Sequence, residues 1–457
     1  MNMKYINESK KTPVRFECDV LIAGGGTAGV VAAIAAARNG AKVILAERNG
    51  FLGGTMINGA GPLHSFFNLW KAFDGVEKLQ CVRGIPDEII NRLISEGGCF
   101  GHLETELGYS YDSTATIVHW EKCKAVLFDM MEEEGVKLLL HTLIADVIKE
   151  DDHCCGVIIE SKSGREVILA KVLIDTTGDG DLAVHAGADW INSYPDAAVG
   201  MPFGMANIDV NKAVAFFKYN DMLTQMVHAP KDDETDNIVR LGFDLRKIPV
   251  FREFMDISGM WGPLVVSHHV RDMSFINTAN LKPLDALDIE EITRAEIELR
   301  RQVMKMSEML KKHIPGFESA YLYWTPVHFG VRRTRIIECE HDISIDEIIN
   351  GMKTEDEIAR YGFHDCAPRI MIKNGDCYSI PYRAILPKKV ENLLLAGRML
   401  TKSWEAHMST RNTVSCMAMG QGAGTAAALC VRSGLNPREL DVKKLQAVLK
   451  EQGVYFG

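Results

Sequence analysis

The chain has 457 residues, with 51 Lys and Arg against 61 Asp and Glu and a formal net charge of −10. That length allows two domains and a large core. The acidic balance, without a basic cluster, argues against nucleic acid or an anionic membrane as the main partner. Small anionic substrates remain open, because a few arginines in a pocket can outweigh the global sign. The eleven cysteines are scattered, with no CxxC spacing. They read as a reduced, cytoplasmic set with no zinc site and no disulfide framework.

Residues 1–14 are polar and read as a tail. An apolar run, Val20 to Ala23, then enters Gly24-Gly25-Gly26-Thr27-Ala28-Gly29, a G-x-G-x-x-G turn. An Ala-rich helix pattern follows from Val30 to Arg38, and a second apolar run, Lys42 to Ala46, ends at Glu47. Strand, glycine turn, helix, strand and terminal carboxylate make a dinucleotide-binding βαβ unit. Gly24 permits the tight turn, Gly26 lets a pyrophosphate approach the backbone, and Gly29 lets the helix pack on the sheet. The first helical turn points free N–H groups at the phosphates. Glu47 can accept hydrogen bonds from ribose hydroxyls. Val20 to Ala37 carries no charge and mimics a membrane span, but its glycines argue against one.

Phe51-Leu52-Gly53-Gly54-Thr55 follows at once. A second Gly-Gly behind the βαβ unit favours FAD over NAD, since glycine again permits close approach to the diphosphate and flavin. The loop through His64 reads as too glycine-rich for a helix. Residues 116 to 134 read as an amphipathic helix. A β-rich run and a hairpin around Ser163-Gly164 lead to a strand, Val172 to Thr177, that ends in Gly178-Asp179-Gly180-Asp181.

Residues 190 to 380 have a different texture and are expected to form an inserted substrate or cap domain. A long helix starts near Asp288, with Glu291 completing a capping box. Ile289, Ile292, Ile297, Val303, Met306 and Leu310 are its expected apolar face, and Pro315-Gly316 end it. Further on, Asn392 to Ala396 reads as a buried strand stopping at Gly397-Arg398. Thr413 to Val431 reads as a small-residue helix containing Gly420, Gly422 and Gly424. No second GxGxxG for a nicotinamide cofactor is present.

Four segments, GGGTAGVVAAIAAARNGAKVILAE, FLGGT, LIDTTGDGD and IPYRAILP…NLLLAGR…MAMGQGAGTAAA, resemble the FAD-dependent oxidoreductases related to fumarate reductase and succinate dehydrogenase flavoproteins. Within them, the bacterial FAD-dependent oxidoreductase group is most similar. The resemblance implies an α/β fold of the glutathione-reductase type. A Rossmann-like FAD-binding domain with a β-hairpin insertion would occupy residues 15–190 and 381–457, and an α+β cap residues 191–380. It implies diphosphate contacts from Gly24, Gly26, Thr27, Ala28 and Gly29, with Glu47 on the ribose and Arg48 near the adenine or ribose. Gly53, Gly54 and Thr55 would lie by the diphosphate and flavin, and Ile144 by the adenine. Gly178 and Asp179 would lie by the ribose and diphosphate. Gly397, Arg398, Gly420, Gln421, Ala423 and Gly424 would close over the ribityl chain and pyrimidine edge.

The expected reaction moves a hydride between a small organic substrate (a sugar, hydroxy acid or enoate) and flavin N5. The alternative is a non-catalytic or RNA-modifying flavin-fold protein. Arg411 is the first candidate to orient a substrate carboxylate or the reduced flavin. Glu405 and His407 are candidate acid or base, and His64 a candidate for ring contact or covalent flavin attachment. The His falls later than in relatives, so a carried-over role for His407 does not follow. His268, His269, Arg271, Arg332, Arg333 and Arg335 are candidates to line the pocket from the cap. Tyr382 and Arg383 read equally as flavin-facing or packing residues. The electron acceptor and oligomeric state stay open.

Overall fold

The computed structural model describes residues 6, 8–59, 61–193, 198–230, 238–260, 264–266, 273–282, 284–365 and 370–457. His268, His269 and Arg271 lie outside them.

The main sheet has seven strands. Five run parallel, in the spatial order Lys137–Leu139, Val43–Ala46, Val14–Ala23, Gly164–Asp175 and Leu393–Leu395. Val20, Leu21, Ile22 and Ala23 are fully buried. That burial explains their continuous apolar run, because a parallel strand covered on both faces has no polar side. Gly164–Asp175 is long enough for two neighbours on one edge. Its first half pairs antiparallel with His153–Ser161, and its end pairs with Leu393–Leu395. His153–Ser161 and Gly164–Asp175 are the expected hairpin around Ser163-Gly164, and Leu143–Glu150 adds a third strand on its far side.

Helix Thr27–Arg38 follows the glycine turn, and helix Thr413–Ser433 packs along it. The contact is backbone to backbone. A Cβ on Gly420 would sit 2.3 Å from the Ala28 carbonyl oxygen, and one on Gly424 would sit 2.1 Å from that of Ala32. Thr413–Ser433 is apolar and long enough to cross a membrane, yet 94% of its apolar window is buried inside the protein. It is the core helix of this fold.

A second hydrophobic core lies within residues 199–331. Its antiparallel sheet runs Leu223–His228, Ile238–Phe243, Leu264–Val266, Met273–Leu281, Val199–Ala206, Tyr321–Trp324. Helices Val210–Tyr219, Pro249–Ser258 and Ile289–His313 accompany it. The chain enters through Trp190–Asn192 and leaves through Arg335–Ile337, and these two segments pair antiparallel as a neck. The cap is thus shorter than the expected 191–380. Ile337, Ile348, Tyr361, Phe363, Tyr378 and Ile380 pack into the first core instead.

Other local expectations shift for physical reasons. Residues 116 to 118 belong to strand Thr114–Val118, so the helix begins only at Trp120. A short helix, Thr55–Asn58, forms in the loop read as too glycine-rich for one. Asp288 caps helix Ile289–His313 by accepting from the Glu290 and Glu291 N–H groups, but Glu291 reaches Asp285 N–H rather than closing a box on Asp288. Ile289 and Ile297 are 78% and 50% exposed, while Ala295, Leu299, Val303, Met306 and Leu310 face the core.

Gly424→Ala is expected to lower the urea-unfolding free energy by about 1–3 kcal/mol, since the added methyl would force the two helices apart. That loss exceeds the roughly 1 kcal/mol gained in helix propensity. An unchanged midpoint would refute the close contact.

Candidate functional site

The glycine turn sits where three elements converge. Gly24 has φ +101°, and a Cβ there would meet the Thr176 carbonyl oxygen at 2.9 Å. Thr176 Oγ1 donates to the Ala23 and Gly24 carbonyls at 2.9 and 2.6 Å, so the neighbouring strand clamps the turn. A Cβ on Gly29 would lie 1.9 Å from the Gly24 oxygen, which enforces glycine there. A Cβ on Gly26 would meet only the Thr176 oxygen, at 3.9 Å. Gly26 supplies no side-chain cap, so the first N–H groups of Thr27–Arg38 are left for a ligand. The Gly53 N–H donates to the Gly25 carbonyl at 2.8 Å, which draws the second glycine pair onto the first.

Glu47 is buried at the end of its strand. Its carboxylate accepts from the Gly25 N–H at 2.6 Å and from the Asn49 N–H and Nδ2 at 2.7 and 2.8 Å. The Thr142 N–H donates to the Glu47 carbonyl at 2.9 Å, so Ile144 lies two residues from this corner. Arg48 is exposed, with its charge felt at Asp179 and His328.

The other wall comes from 175–181 and 397–398. Asp175 is fully buried and accepts from Thr177 and Ala183, which fixes the turn that follows. Burial pushes its carboxyl up to about 6. Arg398 pairs with Asp179 at 2.7 Å, and Thr334 Oγ1 donates to the same oxygen at 2.5 Å. A Cβ on Gly178 would strike the Arg398 guanidinium. Burial alone would raise the Asp179 carboxyl, but Arg398, Thr334 and Arg48 outweigh it and hold it low. Arg398 Nε is buried without a hydrogen-bond partner among the described residues. Open first-turn N–H groups, a buried ribose-competent carboxylate and this arginine donor fit FAD: Gly26 to Gly29 and Arg398 would hold its diphosphate, and Glu47 its ribose.

Gly420, Gln421, Ala423 and Gly424 lie along helix Thr413–Ser433, with Gly420 against Ala28 of the helix that follows the glycine turn. Gly420 lies about 10 Å along the helix axis from Thr413 at 1.5 Å per residue. It and Gly424 face Ala28 and Ala32. Gln421 Oε1 accepts from the Ile85 N–H at 3.0 Å, holding that turn, and Ala423 is buried in the same helix. The end that faces the site is the N-terminus, where Asn412 gives no side-chain cap and its Oδ1 is buried without a partner.

A polar cluster fills the junction between the cap and the first core. Asp365 is its hub. Arg411 Nη2 donates to one oxygen at 2.7 Å, and the Tyr111 hydroxyl donates to the other at 2.5 Å. Burial would raise the Asp365 carboxyl, but Arg411, His64, Tyr111 and Arg332 together keep it below the usual range. Burial and the Asp365 charge raise the Tyr111 phenol well above its usual value. Phe363 stacks on His64 with ring centroids 4.3 Å apart. His64 Nδ1 lies 4.0 Å from Asp112, which also pairs with buried Arg240 at 3.4 Å. Arg332 Nη1 donates to the Ala198 carbonyl and to Asn280 Oδ1 at 2.9 and 3.1 Å.

Of the residues read as catalytic, Arg411 and His64 therefore meet here. His407 and Glu405 do not. His407 is fully buried between the Leu400 and Arg332 carbonyls, 3.2 Å from each. Burial first, then Arg411 and Arg333, push its imidazole down to about 3, so it is neutral and ties the neck to the Trp404–Thr410 helix. Glu405 is exposed in the first turn of that helix, where a carboxylate suits the dipole. Arg335 pairs with Asp181, Arg333 donates to the Lys402 carbonyl, Arg383 pairs with Asp356, and the Tyr382 hydroxyl donates to the Pro437 carbonyl. Those four hold structure. Tyr111, Asp112, Arg240, Asn280 and Asp365 were not legible, because no local motif marks them. Among the described residues no group of three or more His, Cys, Asp or Glu could hold a metal.

The fold and site define a dinucleotide-binding protein of the two-lobed kind, with a cap over one end of the sheet. The family model "FAD dependent oxidoreductase" matches residues 19–449. The chain belongs to that family, and FAD is its cofactor. It is 30% identical over 178 residues to a thiamine thiazole synthase of Methanococcus maripaludis, covering 37% of this chain and 59% of that protein. It is 28% identical over 166 residues to Protein FixC of Salmonella typhimurium, covering 35% and 36%. The chain thus spans less than two thirds of either relative. A geranylgeranyl bacteriochlorophyll reductase-like structure from Thermoplasma acidophilum aligns over 96% of this chain and 84% of its own, with 14% identity and a TM-score of 0.49.

Glu47→Gln is expected to weaken FAD binding about tenfold or more, read by flavin fluorescence on titration, because hydrogen bonds to a charged acceptor contribute about 1.5–3 kcal/mol. Unchanged affinity would remove Glu47 from the ribose corner. His407 gives a pH signature. It takes up its proton near 6.5 when unfolded but only near 3 when folded, so its contribution to stability is full above 6.5 and declines as pH falls below that value. His407→Asn is expected to flatten the acid side of the stability curve by up to about 1.4 kcal/mol per pH unit.

Proposed function

We propose that this chain is an oxidoreductase that moves a hydride between a small organic substrate and flavin N5, with the substrate seated on the Arg411–Asp365–Tyr111 cluster. Bound FAD supplies the hydride acceptor or donor. The protein must orient the reacting carbon and manage one proton. Arg411 is rigidly held by Asp365, so its remaining donors are fixed in place. The Tyr111 hydroxyl can accept a substrate hydroxyl proton while passing its own to Asp365, which is ionised at neutral pH; the reverse sequence delivers a proton. His64, stacked on Phe363, shapes one side.

The observation that carries this reading is a half-buried Tyr–Asp–Arg relay beside the N-terminus of Thr413–Ser433. It stands where the cap's neck meets the first core, and interacting charged groups with shifted titration at such a junction favour function over packing. A hydroxy acid or enoate suits these groups better than a neutral sugar. The ten described cysteines are free thiols, which supports a reducing compartment such as the cytoplasm.

The test is anaerobic. Purified protein carrying FAD is mixed with hydroxy acids, sugars and, after dithionite reduction, enoates, and the visible flavin band is followed. At least one hydroxy acid or enoate is expected to bleach or restore the band. Tyr111→Phe is expected to slow that step by about 10²–10⁴-fold with FAD content unchanged. Failure of all three classes, or full activity of the variant, would overturn the proposal.

A further inference from the structure

Among the described residues, the polar cluster holds one more arginine than it has carboxylates to pair with. Arg240 has Asp112 and Arg411 has Asp365. Arg332, in the same cluster, has only the Ala198 carbonyl and the Asn280 side-chain oxygen, and among the described residues no carboxylate lies within ion-pair distance of it. Asn280 itself is 3% exposed, and its Nδ2 is buried without an acceptor. A guanidinium held only by neutral oxygens therefore stands beside an amide N–H group that, among the described residues, has no acceptor.

The surrounding backbone is built to present this pair. Gly200 and Gly330 exchange backbone hydrogen bonds at 3.1 and 2.7 Å, pinning the segment before Arg332 to the cap sheet. A Cβ on Gly200 would sit 2.6 Å from Asn280 Oδ1 and 3.4 Å from Arg332 Nη1, so this glycine makes the room that the pair occupies. On the other side, His407 meets the Arg332 carbonyl at 3.2 Å. Burial, and then the Arg411 charge, push the Arg332 guanidinium down to about 10, so an anion placed here would relieve a strained cation.

We propose that Arg332 and Asn280 form the subsite for a substrate carboxylate, so that the substrate is a monocarboxylate clamped from the cap side while its reacting carbon faces the Arg411–Asp365–Tyr111 relay. This rests on the oxidoreductase reading above and narrows it. A carboxylate here meets the one cluster arginine that, among the described residues, has no carboxylate partner; a neutral substrate does not. Because Arg332 immediately precedes the neck, the carboxylate also ties the cap to the first core when it binds.

The experiment uses the FAD-loaded full chain. Glycolate and crotonate are titrated against glycolamide and crotonamide, with binding read by calorimetry and by perturbation of the flavin absorbance. Each carboxylate is expected to bind about tenfold or more tightly than its amide. Arg332→Gln is expected to abolish that preference with FAD content unchanged, and Arg332→Lys to keep part of it. Asn280→Asp guards against a folding failure of the first variant: it is nearly isosteric, sets an internal carboxylate against Arg332, and is expected to weaken carboxylate binding by a similar factor. Equal binding of acid and amide, no binding of either acid, or an undiminished preference in both Arg332→Gln and Asn280→Asp would overturn the proposal. A neutral substrate that bleaches the flavin while no carboxylate binds would sink this inference alone. Arg332-dependent carboxylate binding with no bleaching by any compound would sink the oxidoreductase reading and leave the subsite standing.

Discussion

Helices from opposite ends of the chain meet with no side chains between them. Gly420 and Gly424 let Thr413–Ser433 lie directly on Ala28 and Ala32 of Thr27–Arg38. Everything at the site depends on that approach. It brings the N-terminus of the later helix, and Arg411 just before it, to the same end of the sheet as the glycine turn. A side chain at either glycine would push the helix outward, and Arg411 would move with it.

A second constraint acts across the sheet. Thr176 clamps the Ala23–Gly24 carbonyls, and Asp175 organises the turn behind it. Asp179 then meets Arg398 from the last strand and Thr334 from the neck of the cap. One half-buried carboxylate thus joins both halves of the nucleotide fold to the segment that returns from the cap. Burying a charge is tolerable here because Asp179 has several close donors. The cap joins through its two antiparallel connections and also packs on the first lobe, where Leu107 bridges Met226 and Ala115 and Ile117 meet Val227, Ala229 and Val239.

The nucleotide corner was legible because its chemistry is local. A tight turn, a close phosphate approach and an uncapped helix each demand particular residues within a few positions of one another, and Gly24 to Glu47 display them in order. The cluster has no such grammar. Tyr111, Arg240, Arg332, Asp365 and Arg411 come from segments far apart in the chain; Arg332 and Arg411 stand out singly as candidate cations, but nothing local joins them to Tyr111, Arg240 or Asp365. His407 and Glu405 misled for the opposite reason. They lie close to Arg411 in sequence, but the helix between Trp404 and Thr410 turns one inward to bond backbone and the other out to water. The glycines of Gly420–Gly424 read either way in the sequence, because close packing against a helix and close packing against a ligand ask for the same small residues; the structure shows the helix contact.

By itself, then, the sequence determined the βαβ unit, its dinucleotide ligand, the second glycine pair that favours FAD, and the presence of an inserted cap. These follow from backbone geometry over short spans. Only the tertiary structure decided where the cap ends, which arginines have a carboxylate partner among the described residues, and that Tyr111 and Arg411 meet on Asp365. Burial and charge balance are properties of the whole assembly, and they exist only once distant segments have been brought together.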